Sequence, residues 1–315
     1  MKITVLDAAT LGEDLDVSLF EELGDLTVYR ATASNETVAH LEGTDVAVLN
    51  KVKLTADVLS KAPTLKLICL CATGYDNVDL AYCRSAGIAV CNVVGYSTQC
   101  VAQVTLAMAL SLMTHLEEYT SAVRNGSYTR SGVANRLTPI YREIAGKTWG
   151  IVGFGNIGKQ VGAVAQAMGC KVLVNKKTPI DDWNCVDLET LCRKSDIISI
   201  HTPLNESTRN LLDREKIALM KPSAIVINVA RGAVTDEEAL ADAIEQGRIG
   251  ALGADVYSIE PLPQEHPFQR ILHLPNVCLT PHMAWGGWET RQRLVREVAE
   301  NIRAFQKGDR RNRAD

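Results

Sequence analysis

"TWGIVGFGNIGKQVGAVAQAMG", residues 148–169, holds the turn on which the fold is read. "TWGIVG" (148–153) is a short apolar run of strand type, and the residues from Asn156 onward open a predicted helix. Between them stand Gly153, Gly155 and Gly158 in G-x-G-x-x-G order. Alone, that pattern is common by chance; after a strand and at the start of a helix it has a physical meaning. Gly153 permits the tight turn, Gly155 lets backbone come close to a pyrophosphate, and Gly158 lets helix and strand pack closely. The amides that open the helix, around Asn156 and Ile157, attract the anion. The stretch therefore reads as the dinucleotide-binding turn of a parallel α/β sheet.

The second strand of such a unit usually ends in Asp or Glu, which accepts hydrogen bonds from the adenosine ribose. Here "KVLVNKKTP" puts Asn175, Lys176 and Lys177 at that point. A carboxylate would repel a ribose 2′-phosphate, whereas two ammonium groups attract it. NADP(H) is therefore expected in preference to NAD(H).

The same alternation extends in both directions. "KITVLD" (2–7), "DVAVLN" (45–50), "LKLICL" (65–70) and "IAVCN" (88–92) read as strands, with "TADVLSKA" (55–62) and "NVDLAYCRSA" (77–86) as helices between them. Downstream, "CKVLVN" (170–175), "DIISIH" (196–201), "SAIVINV" (223–229), "GALGADV" (250–256) and "VCLTP" (277–281) continue the pattern. Continuous apolar strands separated by helices mean parallel sheets covered on both faces. Thr98 to about Leu116 reads as one long buried helix, followed by a linker-like stretch at 125–147. "TDEE" (235–238) has the form of a capping box for the next helix. The last helix is expected at about 287–306, before a solvated basic tail, "KGDRRNRAD". The expectation is thus α/β architecture with two doubly wound domains, one of residues 1–98 with 285–315 and one of residues 99–284. No sequence repeat relates them.

Composition sets the outer bounds. The 315 residues suffice for two domains, each with its own core. A net charge of −4 gives no electrostatic reason to expect nucleic acid or an anionic membrane as partner. The nine cysteines are odd in number and form no CxxC pair. Cys69 and Cys71, sharing one strand face, read as small buried hydrophobes. Met1 runs directly into a strand and no apolar stretch approaches about 20 residues, so neither a leader nor a membrane span is expected. A cytoplasmic setting follows. The six histidines show no HxxxH or HxH spacing, so no metal site is expected.

Other predicted strand ends carry isolated polar residues. "AIVINVARG" puts Arg231 after a buried strand, "ADVYSIEPLP" offers Asp255 and Glu260, and "CLTPHMAW" offers His282. Singly, Arg231 reads as a salt-bridge partner, Glu260 as a loop residue and His282 as hydrogen-bonded packing. In open parallel sheets, however, the carboxyl ends of strands face the ligand crevice. These loops are therefore expected to meet at a bound nicotinamide. Hydride transfer to a 2-keto acid leaves charge on an oxygen that must be protonated, and histidine titrates near working pH. A carboxylate beside it fixes the tautomer and supports the imidazolium form. Arginine supplies a planar fork for the substrate carboxylate and keto oxygen.

The pieces "ATGYDNVDL", "NVVGYSTQCVAQ", "VGFGNIGK", "HTPLNESTRNLL", "MKPSAIVINVARGAVTDEEAL", "GADVYSIEPLP" and "LTPHMAWGGWETRQRL" resemble the D-isomer-specific 2-hydroxyacid dehydrogenases along essentially the whole chain. The resemblance implies two Rossmann-like domains with an interdomain cleft and a homodimer formed through the cofactor domains. It implies that Arg231 binds substrate, that Glu260 pairs with His282, and that His282 is the acid/base. It assigns Asp255 to the nicotinamide carboxamide and the backbone around Thr73, Gly74 and Tyr75 to the substrate carboxylate. His201, Thr202, Pro203 and Ala230 fall to the cofactor. "YST-x-x-VAQ" and "PHMAW" look most like the glycerate dehydrogenase/hydroxypyruvate reductase branch, whose substrates would be small 2-keto acids such as hydroxypyruvate, glyoxylate or pyruvate. The chain departs from the family pattern at Lys176, at Cys100 and at Gly286, Gly287 and Trp288. The rival reading is a cofactor-sensing binding protein resembling the co-repressors of this fold.

Overall fold

The computed structural model describes residues 1–178 and 180–315. The chain divides into two compact units, Met1–Ser97 with Gly286–Asp315, and Thr98–Trp285. Both are Rossmann-like α/β units built on parallel sheets.

In the first unit, β1 (Lys2–Val5), β2 (Asp25–Val28), β3 (Val46–Leu49), β4 (Leu67–Leu70) and β5 (Ala89–Cys91) lie in the order β2-β1-β3-β4-β5. Strands β3 and β4 are buried along their whole length, as continuous apolar runs in a two-sided parallel sheet must be. Strand β2 was not expected from the sequence. It is an edge strand of four residues with no buried position, and Leu26 and Val28 are its only aliphatic residues. The basic tail is not solvated as expected. The Ala314 N–H donates to the Val90 carbonyl at 2.8 Å, and the Asn92 N–H donates to the Asn312 carbonyl at 3.1 Å. The Asp315 carboxylate accepts the Val90 N–H at 2.8 Å and pairs with Arg313. The tail thereby satisfies the outer edge of β5, a role set by backbone groups that its charge pattern does not reveal.

In the second unit, β6 (Thr148–Val152), β7 (Lys171–Asn175), β8 (Ile197–Ile200), β9 (Ile225–Asn228), β10 (Ala251–Ala254) and β11 (Val277–Leu279) take the order β11-β10-β9-β8-β6-β7. Side chains alternate between two cores, one on each face. Ile198, Ile200, Val226 and Leu252 join one with Leu191, Ile217 and Leu240 from the helices Leu188–Lys194, Arg214–Ala218 and Glu237–Glu245. Ile197, Ile151, Ile225 and Ile227 join the other with Met108, Leu112 and Val161 from the helices Thr98–Thr114 and Asn156–Ala167. Each such fully buried aliphatic side chain contributes roughly 1.5–3 kcal/mol.

Three local expectations need correction. The long helix stops at Thr114, where His115 takes a left-handed φ of 52°, and resumes as Leu116–Arg124. The stretch at 125–147 is not a bare linker: it contains the helix Ser127–Ser131 and lies inside the second unit. The capping residue of Glu237–Glu245 is Asp236, which accepts the Ala239 N–H at 2.9 Å, whereas the Thr235 hydroxyl donates backwards to the Gly232 carbonyl. Shifting the cap by one residue turns Glu237 inward, where it is buried. Among the described residues, no single helix is long and apolar enough to cross a membrane.

Candidate active site

The order β11-β10-β9-β8-β6-β7 makes the strands that lead to His282, Asp255 and Arg231 immediate neighbours. Because all of them run parallel, the loops after them leave from one edge of the sheet. That edge is shaped residue by residue.

After β10, Asp255 is 1% exposed, and its carboxylate accepts three hydrogen bonds from the next strand's loop. Oδ1 accepts the Met283 N–H at 2.8 Å and the Thr280 hydroxyl, and Oδ2 accepts the Ala284 N–H at 2.8 Å. These bonds hold the turn that carries His282 in a left-handed conformation, φ 53°. A non-glycine residue adopts that region at a cost and persists there when its surroundings over-determine it. Tyr257 adds a second tie, its hydroxyl donating to the Thr280 carbonyl at 2.9 Å. Burial, with the Asp255 and Glu260 charges nearby, pushes this phenol up to about 12, so it stays a donor.

The turn delivers His282 to Glu260. Nδ1 of the ring stands 2.6 Å from Oε2 of the carboxylate, and Oε1 accepts the Tyr257 N–H at 3.2 Å. An ionised carboxylate only accepts, so Nδ1 carries the proton that faces Glu260. Arg231 follows β9 in a turn folded by Asn228, whose side chain donates to the Arg231 carbonyl at 2.9 Å and accepts the Ala230 N–H at 3.1 Å. A Cβ on Gly232 would lie 2.1 Å from the Ser258 nitrogen, so the arginine turn packs directly on the chain leading to Glu260. Asn228, Tyr257 and Thr280 were not anticipated. Asn228 had a signal, an amide ending an otherwise apolar strand; the other two had none, because their partners are distant in sequence.

The glycine turn behaves as a cradle. Gly153 has φ +88°, and a Cβ there would lie 2.6 Å from the Thr202 nitrogen. A Cβ on Gly158 would lie 2.3 Å from the Gly153 carbonyl oxygen, while a Cβ on Gly155 would meet no atom beyond its chain neighbours within 4 Å among the described residues. Open space thus faces the start of the helix Asn156–Ala167, whose cap supplies no side-chain acceptor for its first amides. These groups could hold a dinucleotide pyrophosphate. At the end of β7, the Asn175 amide nitrogen donates to the Val186 carbonyl at 3.1 Å, and Lys176 and Lys177 are exposed. Thr202, Pro203 and Ala230 lie at the ends of β8 and β9. In the first unit, Thr73, Gly74 and Tyr75 follow β4, with the Thr73 carbonyl held by the Asn92 side chain at 2.6 Å.

His201 is set deeper. Its Nε2 lies 2.9 Å from the Ser199 hydroxyl, which accepts the Trp149 indole N–H at 2.9 Å. Nδ1 is buried with no hydrogen-bond partner among the described residues.

Residues 106–284 match the family model described as D-isomer specific 2-hydroxyacid dehydrogenase, NAD binding domain. The chain is 38% identical over 313 residues to the glycerate dehydrogenase of Methylorubrum extorquens, covering 99% of this chain and 98% of that one. It is 34% identical over 317 residues to the hydroxypyruvate reductase of Blautia hydrogenotrophica, covering 98% of each. Among solved structures it is similar to an acyclic imino acid reductase in complex with NADPH and D-Arg, with a TM-score of 0.88 at 31% identity over 100% of both chains.

Burial pushes the His201 imidazole down from 6.5 to about 3. Between those values the unfolded chain binds a proton that the folded chain refuses, so stability is lost as pH falls below 6.5 and the loss continues toward about 3. Melting temperatures measured from about pH 7 to about pH 4 should fall more steeply for the wild type than for His201→Gln, which cannot titrate there. Equal slopes would remove the buried neutral ring as a cause.

Proposed function

Because the chain belongs to the D-isomer-specific 2-hydroxyacid dehydrogenase family, and is an NAD(P)-dependent oxidoreductase of 2-keto and 2-hydroxy acids, we propose that Arg231, Glu260 and His282 carry its chemistry. The substrate we assign is a small 2-keto acid of the hydroxypyruvate, glyoxylate or pyruvate type. The observation that carries the assignment of roles is the 2.6 Å contact between His282 and Glu260 beside the Arg231 turn. When bound, the reduced nicotinamide supplies a hydride to the keto carbon. The Arg231 guanidinium grips the substrate carboxylate and keto oxygen; the substrate ligands assigned to the first unit are the backbone groups of Thr73, Gly74 and Tyr75. As charge grows on the oxygen, His282 Nε2 donates a proton to it, and Glu260 stabilises the charged ring that makes this donation. In the reverse direction the same nitrogen takes the proton. Asp255 holds the histidine turn and is the residue that would hold the nicotinamide carboxamide.

For the cofactor, the reading is Gly153, Gly155, Asn156, Ile157 and Gly158 around the pyrophosphate, His201, Thr202, Pro203 and Ala230 beside the dinucleotide, and Asn175, Lys176 and Lys177 at the adenosine ribose. The two exposed ammonium groups favour a 2′-phosphate. For assembly, a second copy of the chain covers the segment 116–141, where Leu137 is 76% and Ile140 79% exposed. Monomers rarely leave so many large apolar side chains together in water.

Turnover of hydroxypyruvate, glyoxylate and pyruvate, followed by loss of reduced-nicotinamide absorbance, tests the first reading. His282→Ala should lower kcat by at least about 100-fold. Near-normal turnover in that variant would sink the acid/base assignment, and an inert wild type across the panel would favour a binding protein. kcat/KM should be higher with NADPH than with NADH, and Lys176→Asp with Lys177→Asp should reverse the order; a wild type that prefers NADH refutes the lysine reading. Ile140→Asp should convert a dimer to a monomer in sedimentation velocity, and a monomeric wild type would refute the assembly.

A further inference from the structure

Inside the second unit, behind the candidate site, lies a buried acid–imidazole pair to which the chemistry above gives no task. Glu237 begins the helix Glu237–Glu245 and is 8% exposed; His266 is 5% exposed. Oε2 of Glu237 lies 3.0 Å from Nε2 of His266. Oε1 accepts the Ser258 N–H at 2.9 Å. Nδ1 of His266 accepts the Phe268 N–H at 3.2 Å, so that nitrogen bears no proton and Nε2 donates to the carboxylate. The ring is also packed edge-on to Tyr257 and Phe268, with centroids 5.8 and 4.9 Å away. Every hydrogen-bonding atom of the pair is thus assigned.

The partners are informative. Ser258 and His266 bracket the loop that carries Glu260, so one carboxylate grips both ends of that loop. The two consecutive amides at its start are divided between two acids: Tyr257 N–H goes to Glu260 and Ser258 N–H to Glu237. Glu260 itself is in a solvent-accessible loop and must reach His282 within 2.6 Å. A buried pair of this kind gives little net stability compared with apolar side chains of the same volume. What it gives here is one carboxylate bonded to both ends of the loop.

Resting on the catalytic reading above, we infer that Glu237 and His266 are positioning residues: they set the Glu260 loop so that its carboxylate meets His282, and thereby act on turnover without touching substrate or cofactor. Glu237→Gln keeps the size and one acceptor but turns an N–H toward the His266 N–H, so one of the two grips is lost.

The test uses the purified full chain with cofactor and keto acid. Glu237→Gln should lower kcat by about 10- to 100-fold, as small misplacements of reacting groups do, while the dissociation constant for NADPH, read by quenching of tryptophan fluorescence, stays close to the wild-type value. The primary isotope effect on kcat with 4-deuterated reduced nicotinamide should rise, a change that a loss of folded molecules alone does not produce. In a His282→Ala background the same substitution should have a much smaller effect, because its route of action has been removed. Should Glu237→Gln fail to fold, His266→Gln, which keeps an N–H for Glu237, should retain most of the activity that His266→Ala loses. Unchanged kcat in folded Glu237→Gln, or an equal fold loss in the His282→Ala background, overturns this inference alone. Near-normal turnover of His282→Ala overturns the catalytic reading and this inference with it.

Discussion

Parallel strands cannot be joined by a tight turn, and the candidate site of this protein depends on that constraint. Each connection must cross the sheet, so every strand begins at one edge and finishes at the other. In the second unit, the ends of β9, β10 and β11 are adjacent although Asn228, Ala254 and Leu279 are far apart in the chain. Arg231, Glu260 and His282 owe their common neighbourhood to this arrangement rather than to any local motif.

Adjacency alone does not set geometry; buried carboxylates do. Asp255 ends β10 and accepts amides from the loop after β11, its neighbour. Asp7 does the same in the first unit. It follows β1 and accepts the amides of Asn50 at 2.9 Å, Lys51 at 2.6 Å and Val52 at 3.1 Å, from the loop after the neighbouring β3. The opposite edges share a second device. Asp45, before β3, accepts the Lys2 N–H at 2.9 Å and pairs with Lys66; Asp196, before β8, accepts the Thr148 N–H at 2.8 Å and pairs with Lys221. Two units without a detectable sequence repeat therefore fasten neighbouring strands by the same chemistry. Carboxylates suit the task because each can accept several N–H groups, and an unpaired buried amide costs about 1–3 kcal/mol.

These fastenings also explain where strain is tolerated. His282 sits at a positive φ because the bonds from Asp255 and Tyr257 hold the segment on both sides of it. Gly153 and Gly232 stand where a Cβ would run into backbone, so at these points the chain makes its closest internal approaches. Turns fastened in this way suit chemistry that needs groups placed to a fraction of an ångström.

How much of this was legible in the chain follows from the range of each interaction. Apolar runs, the glycine spacing and the polar residues closing buried strands are local, and they were sufficient to read the parallel α/β units and the family; they also single out the glycine turn and Arg231, Asp255, Glu260 and His282 as the candidate residues. Strand β2 escaped because an exposed edge strand needs no continuous apolar run, and the helix break at His115 escaped because neither Gly nor Pro marks it. The cap at Asp236 was misplaced by one residue, since Thr235 and Asp236 are both good caps and only packing decides which side chain turns inward. The partners of Asp255, Glu237 and the C-terminal tail were beyond the sequence for a single reason. They are set by which distant segments the sheet order places side by side, and a one-dimensional pattern carries no record of that order.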